Sequence, residues 1–262
     1  MSAVIFGGLA GGISIRRVLM TYQSTFKRHE IKYLLTQQQK QAVLQAMQPY
    51  MKLDQYGRTT IRNIYYDTDT YRLIRHSLEK PVYKEKLRIR SYQTAAPEDP
   101  VFVELKKKYK SVVYKRRLTL SEKQARDSFQ NGSPLPIHSQ IAEEIEYFRS
   151  YYEGLHPTVF LSYEREAFYA LDGSDFRVTF DENILYRTYD FLLGSEVYGT
   201  PLLNEGETLM EIKTAGGLPL WMSYELNRLK VFHASFSKYG LAYQDLMTKS
   251  ETKEQGRTSH AC

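Results

Sequence analysis

Residues 84–90 read KEKLRIR and residues 102–108 read FVELKKK. Side chains on a strand alternate between its faces, so Lys86, Arg88 and Arg90 leave one side of the first segment while Leu87 and Ile89 leave the other. In the second segment Glu104, Lys106 and Lys108 share a side, and Val103 and Leu105 take the opposite one. The same alternation groups Arg28, Glu30 and Lys32 in FKRHEIKYL, Arg177, Thr179 and Asp181 in FRVTFDE, and Glu211 with Lys213 in LMEIKT. One such strand is the ordinary solvated face of an antiparallel sheet. Five whose charged faces converge would repel one another unless something anionic lay between them, which points to a ligand with many negative charges.

The apolar alternates Leu87, Ile89, Leu105, Val178, Phe180, Met210 and Ile212 need cover, and helical patterns between the strands supply it. Thr36 and Gln39 make a capping-box pair ahead of Val43, Ala46, Met47 and Tyr50. Asp69 reads as the N-cap of a short helix through Tyr71, Ile74 and Leu78 that stops before Pro81. Ser121 caps another, and Ile141, Ile145, Phe148 and Tyr152 line one face of a longer one. Further helical patterns cover Leu220 to Leu229 and Lys238 to Met247. Strands are expected at Thr60 to Thr68, Tyr83 to Tyr92, Val101 to Tyr109, Val112 to Leu120, Thr158 to Ala170, Arg177 to Leu185 and Glu207 to Thr214, besides the first around Lys32. About eight antiparallel strands with charge on one side do not make a sandwich with charge inside. The expected fold is therefore α+β: an antiparallel eight-stranded tunnel β-barrel with a charged, wet interior and helices packed outside.

With 262 residues, 42% of them hydrophobic, the chain suits one compact domain, and its formal charge of +6 favours anionic partners. That charge is regional: Lys80 to Arg117 holds twelve Lys or Arg against four acids. The single cysteine, Cys262, offers neither a disulfide framework nor a metal site, so a reducing, cytoplasmic setting is expected. The apolar, Gly-rich residues 1–19 are too short to span a bilayer and carry their arginines after the run, so they are expected to be an upstream extension or a disordered tail. Residues 20–249 form the expected domain and 250–262 a tail. No intrinsic membrane span is expected.

Taken in order, FKRHEIKY, IYYDT, KLRIR, VELKKK with VYKRR, SYEREAF, FRVTFDENI, LMEIKT, LPLW and SKYG resemble the polyphosphate polymerase domain of the vacuolar transporter chaperone (VTC) family, within the triphosphate tunnel metalloenzymes. The resemblance covers about residues 26 to 247. It implies a tunnel whose basic residues grip the phosphates of ATP and of inorganic polyphosphate, with a divalent metal, Mn²⁺ or Mg²⁺, held by acidic residues. By motif, Lys32, Arg88, Arg90, Lys106, Arg165, Arg177 and Lys238 correspond to the family's phosphate ligands and Glu211 to its metal ligand. Lys213 joins them by strand period and Lys86 by its place in the basic row. The E-x-E-x-K of many tunnel enzymes stands here as Arg28, His29, Glu30, Ile31, Lys32, so one carboxylate, Glu30, is retained as a second metal ligand.

Phosphoryl transfer asks for positioning and charge neutralisation more than for a side-chain nucleophile. Arginine's planar fork suits clamping, which assigns Arg88, Arg90, Arg165 and Arg177 to that role and leaves charge compensation to Lys32, Lys106 and Lys238. The catalytic set implied is Arg88, Arg90, Lys106, Arg165, Arg177 and Glu211. Glu211 can alternatively be the ion-pair partner of an interior lysine. Tyr65, Tyr66 and Tyr163 read as packing residues in preference to an adenine platform. Arg116, Arg117, Lys107 and Lys110 read as surface charge, although Lys115 and Arg117 share a face and could continue the tunnel. The function expected is ATP-dependent polyphosphate polymerase; a tripolyphosphate or nucleoside triphosphate hydrolase of the tunnel type and a non-catalytic polyanion-binding module are the alternatives. Nucleic acid is not an expected partner, because the cations alternate with aliphatics and not with stacking aromatics. Whether a membrane protein partner receives the polymer is left open.

Overall fold

The structure, a computed structural model, describes residues 29–110 and 112–258. The extension expected at 1–19 and the position of Arg28 lie outside the described residues. In chain order the elements are β1 (His29–Thr36), α1 (Gln37–Met47), β2 (Met51–Leu53), β3 (Thr59–Asp67), α2 (Arg72–Leu78), β4 (Tyr83–Ser91), β5 (Pro100–Tyr109), β6 (Val112–Ser121), α3 (Glu122–Gln130), α4 (Gln140–Tyr151), β7 (His156–Ala170), β8 (Arg177–Arg187), β9 (Thr200–Pro201), β10 (Glu207–Thr214), α5 (Leu220–Arg228) and α6 (Lys238–Thr258). Eight strands form one path, β1-β10-β8-β7-β3-β4-β5-β6, with β2 attached to β7 and β9 to β8. Every pairing between these strands is antiparallel.

The alternation seen in the sequence sets the two faces. Leu87, Ile89, Val103 and Leu105 are buried on the outer face with Ala125 and Phe129 of α3 and Ile145 and Phe148 of α4. On the other half of the sheet, Val178, Phe180, Met210 and Ile212 pack with Val43 and Met47 of α1 and Met222 and Leu226 of α5. Each such side chain contributes about 1.5–3 kcal/mol on leaving water. Thr36 and Ser121 start α1 and α3 with capping boxes to Gln39 and Gln124.

Two expectations are corrected here. The cap of α2 is not Asp69: the Asp67 carboxylate accepts from the backbone N–H of Leu73 at 2.8 Å and of Ile74 at 3.0 Å. Asp67 ends a strand and so already faces the helix start, whereas Tyr71 fills the N-cap position with a left-handed backbone, φ 54°. Nor does α6 lie outside. It joins Tyr65, Val159, Leu161 and Tyr163 on the concave side, where Tyr239 stacks on Tyr65 at 4.8 Å and donates to Asp67 at 2.9 Å. It also runs to Thr258, beyond the Met247 limit of its apolar pattern.

The barrel is a third correction: the sheet has ten strands, and β1 and β6 end its main path without pairing to each other. The edge of β1 is taken by the segment before α6, through a Tyr33–His233 bridge and a hydrogen bond from Ala234 N to Lys32 O of 2.7 Å. In the main path β6 pairs with β5 alone, and the sheet forms an open-sided trough.

Candidate active site

Strand registers put the charged rows on the concave face side by side. Lys32 lies opposite Glu211 and Glu30 opposite Lys213, while Arg165 faces Asp181, Lys86 faces Lys106 and Arg88 faces Glu104. A deep cluster forms around Asp181 and Glu211. Arg165 donates through Nε and Nη2 to the two oxygens of Asp181, each at 2.6 Å, and its Nη2 lies 3.4 Å from Glu211. Lys238, at the start of α6, places Nζ 2.6 Å from Asp181 and 3.1 Å from Glu211. Lys32 and Lys213 approach Glu211 at 3.5 and 3.9 Å. Burial alone would raise the Glu211 carboxyl, but Lys238, Lys32, Arg165 and Lys213 hold it well below the usual carboxylate range. Both resident carboxylates are therefore ionised.

A second cluster surrounds Glu104, which is 1% exposed. Arg88 donates to it through Nε at 2.9 Å and Nη2 at 2.7 Å, Arg117 through Nε at 2.8 Å, and Lys115 lies 2.7 Å away. Arg117 thus continues the concave face and is not surface charge, whereas Arg116 turns to Glu144 of α4. Arg88 also reaches the Tyr65 hydroxyl, and Arg90 is held by Asn63 Oδ1 at 2.8 Å and the Tyr163 hydroxyl at 3.1 Å. Tyr65 and Tyr163 are buried packing residues, as expected, and both also position guanidinium groups. Burial would raise their hydroxyl pKa, but the adjacent cations outweigh it and hold both below the ordinary value.

Above these clusters opens a cavity of about 880 Å³ lined by Glu30, Lys32, Lys84, Lys86, Lys106 and Lys108, among others. Its cations are poorly matched. Lys106 meets Glu30 at 3.7 Å; Lys84 donates to the Ser77 carbonyl and Lys86 to the Ser237 hydroxyl. Among the described residues no carboxylate lies within ion-pair distance of Lys84, Lys86 or Lys108. Desolvation, reinforced by Lys84, Lys106 and Lys32, pushes Lys86 down to about 8. An anion entering this space would meet Lys86, already stripped of water, and Lys84 and Lys108, which have no carboxylate within ion-pair distance among the described residues.

Of the residues singled out in the sequence, Glu30, Lys32, Lys86 and Lys106 line the cavity, whereas Arg88, Arg90, Arg165, Glu211, Lys213 and Lys238 belong to the hydrogen-bonded and ion-paired groups of the concave face outside its lining. Arg177 stands apart: as the first residue of β8 it projects from the rim and is exposed, opposite Lys213. Asp181 and Glu104 were not singled out as site residues. Their only signal was the same period of two: Arg88, Lys115 and Arg117 reach Glu104, and Arg165 reaches Asp181, from strands next in sequence, while Lys238 comes to Asp181 from far along the chain.

The acid set suits a metal that arrives with phosphates. Among the described residues no group of three or more His, Cys, Asp or Glu stands close enough to hold an ion. Glu30 and Glu211 occupy adjacent strands near the cavity, and Mg²⁺-like cations commonly take one or two carboxylates and complete their shell with water and substrate phosphate.

A profile of the VTC domain matches residues 27–247. Among solved structures, a candidate adenylate cyclase from Bacillus halodurans superposes with a TM-score of 0.51 at 14% identity, over 82% of this chain and 95% of that one. A candidate adenylyl cyclase from Hippeastrum, described as having a dominant triphosphatase activity, gives 0.51 at 15% identity, over 82% of this chain and 95% of that one. At these identities the likeness is one of fold. No curated protein matches the chain. Among the described residues no helix is long and apolar enough to cross a membrane.

Proposed function

Because the chain belongs to the VTC domain family, we propose that it is a phosphoryl-transfer enzyme of the triphosphate tunnel type, an ATP-dependent polyphosphate polymerase. The observation that carries the reading is the row of cations Lys84, Lys86 and Lys108, none with a carboxylate within ion-pair distance among the described residues, together with Lys106, on a cavity that also exposes Glu30. A structural ion-pair network would neutralise itself; this one leaves positive charge for a polyanion.

In the reaction, a terminal oxygen of polyphosphate forms a bond to the γ-phosphorus of ATP as the bond from that phosphorus to the β,γ-bridging oxygen breaks, and ADP carries the electron pair away. Arg88, Arg90 and Arg165 are oriented before substrate arrives by Glu104, Asn63 and Asp181. Such preorganised donors stabilise charge on the transferring group without reorganising during the step. Lys32, Lys86 and Lys106 offset the charge of two converging phosphate chains. Glu30 and Glu211 would hold a divalent Mn²⁺ or Mg²⁺, which, when bound, neutralises phosphate charge.

The test is incubation of the full chain with γ-labelled ATP, Mn²⁺ and a short polyphosphate primer, resolved by chain length. A lengthening ladder with matching ADP is the expected result. Orthophosphate without a ladder would replace the polymerase by a tunnel hydrolase, and metal-independent binding without turnover would leave a polyanion-binding module.

A further inference from the structure

A second cavity, of about 490 Å³, lies beside the first on the other side of α2 and the start of β4. Its lining includes Arg72, His76, Tyr83, Lys107, Tyr147 and Tyr151. The two spaces are neighbours: Lys84 and Glu85 line both, and in α2 His76 lines the second cavity while Ser77 and Leu78 line the first.

The second space differs in chemistry from the first. Tyr147 and Tyr151 of α4 stack with ring centroids 6.1 Å apart and stand 68% and 54% exposed. The Arg72 guanidinium lies over the rings of Tyr151 and Tyr152, at 5.8 and 5.2 Å. At the floor, buried Glu85 accepts from the hydroxyls of Tyr83 at 2.6 Å and Tyr152 at 2.7 Å, so its charge is already engaged. What remains free is flat aromatic surface beside cations. The phosphate cavity offers nothing comparable: Phe236 is the only Phe, Tyr or Trp in its lining, and it is buried in the core. Tyr65 and Tyr163 cannot serve either, because both are buried with their hydroxyls holding arginines.

We propose that this aromatic cleft, with Tyr147 and Tyr151 as its platform and Arg72 at its side, holds the nucleobase of the nucleotide whose phosphates occupy the basic cavity. The assignment rests on the triphosphate reading above and adds the subsite that distinguishes a nucleoside triphosphate from bare polyphosphate. Bases stack on exposed aromatic faces with little regard to sequence of functional groups, so the cleft favours nucleotides over inorganic chains without selecting strongly among purines. A phosphate chain has no flat face to place there. Phosphates extending from the base would pass Lys84, which lines both spaces, and meet Lys86 and Lys106 beyond it.

The test compares ATP and tripolyphosphate binding by calorimetry, in Mn²⁺, to the full chain and to Y147A/Y151A and Y147F/Y151F, with melting temperature as the control for folding. The expected result is a loss of about tenfold in ATP affinity for the alanine pair, unchanged tripolyphosphate affinity, and near-normal ATP affinity for the phenylalanine pair, which keeps the stacking faces. The same loss should appear as a raised KM for ATP. Unchanged ATP affinity in a folded alanine pair, with tripolyphosphate still bound, would overturn the base subsite and leave the basic cavity standing. An unsubstituted chain that binds neither ligand would instead remove the triphosphate reading and this subsite with it.

Discussion

Lys106 on β5 reaches Glu30 on β1, Nζ to Oε2 3.7 Å, although those strands belong to opposite ends of the sheet path and share no ladder. A side-chain contact, not a backbone pairing, spans the open side of the trough. Burial and the nearby Glu211 push the Glu30 carboxyl up, but Lys106, Lys32 and Lys213 prevail and hold it at about 2.

Glu30→Gln tests what that contact is for. The pair is partly solvated, so its loss should change stability by no more than about 1 kcal/mol. Turnover should need a higher divalent cation concentration, because one of two carboxylates facing the phosphates is gone. Metal titrations of turnover alongside a denaturation curve check both; an unchanged metal requirement would leave Glu30 as an ion-pair partner of Lys32 and Lys106 and nothing more.

Glu211→Gln should act differently, since Lys32, Arg165, Lys213 and Lys238 all converge on that carboxylate. Asp181 still balances Arg165 and Lys238, so the expected cost is about 1–3 kcal/mol, less than for an orphaned buried charge. Metal-dependent turnover should fall by roughly 100-fold or more, as when a preorganised electrostatic group is removed from a reacting centre. Undiminished turnover in a folded variant would make Glu211 an ion-pair partner and nothing more.

Lys86 carries a pH signature. Its proton is held less tightly when folded, at about 8, than in the unfolded chain near 10.5. The charged form therefore destabilises the empty protein below pH 8, and this contribution to stability improves as pH rises from about 8 toward 10.5. Phosphate reverses the preference, so polyphosphate affinity should weaken as pH rises through about 8. Lys86→Met should raise the stability of the ligand-free protein at pH 7 by roughly 1–3 kcal/mol, while weakening polyphosphate binding and flattening its pH profile. Melting and binding curves between pH 6 and pH 9.5 check this, and a variant that keeps the full pH dependence would exclude Lys86 as its source.

Glu104 sets the acid limit. Burial would raise its carboxyl, yet Arg88, Arg90 and Lys115 depress it far below the unfolded value of 4.5. Stability from a depressed carboxyl is whole above the unfolded value and drains away as pH falls below it. Melting temperature should therefore decline below about pH 4.5 in the unsubstituted chain. Glu104→Gln should cost about 3 kcal/mol at pH 7, because Arg88, Arg117 and Lys115 lose their shared counter-charge, and should show a shallower acid decline. Equal melting temperatures at pH 7 would deny Glu104 this role.

The period of two in KEKLRIR and FVELKKK carried most of the fold, since the side that bears Leu87 or Arg88 depends only on local backbone geometry. The capping boxes at Thr36 and Ser121 were legible for the same reason. What escaped depended on distance along the chain. The facing of Glu104 and Arg117 follows from the tight turn between β5 and β6, but nothing near His233 announces that this segment will meet the edge of β1. β2 and β9 were missed because three and two residues cannot display a period. The pattern points to Asp69 as the cap of α2; Asp67 takes the role because the end of β3 aims its carboxylate at the helix start, and a helix pattern does not contain strand direction. Lys238 came from a family motif alone, because its importance lies in where the start of α6 is carried.

The placement of β1 beside β10 also dictates an order of events during synthesis. Lys32 leaves the ribosome well before its register partner Glu211 and the α6 lysine that joins them, Lys238. Contacts this far apart close slowly, and here they cannot close until β10 and the start of α6 have emerged. The strands from β3 to β7 can assemble first around Leu87, Val103 and Phe160, leaving β1 waiting with Tyr33 and Leu35 uncovered. Nascent chains stalled before β10 therefore lack Glu211, Lys213 and Lys238 and expose the surface that a holdase would recognise.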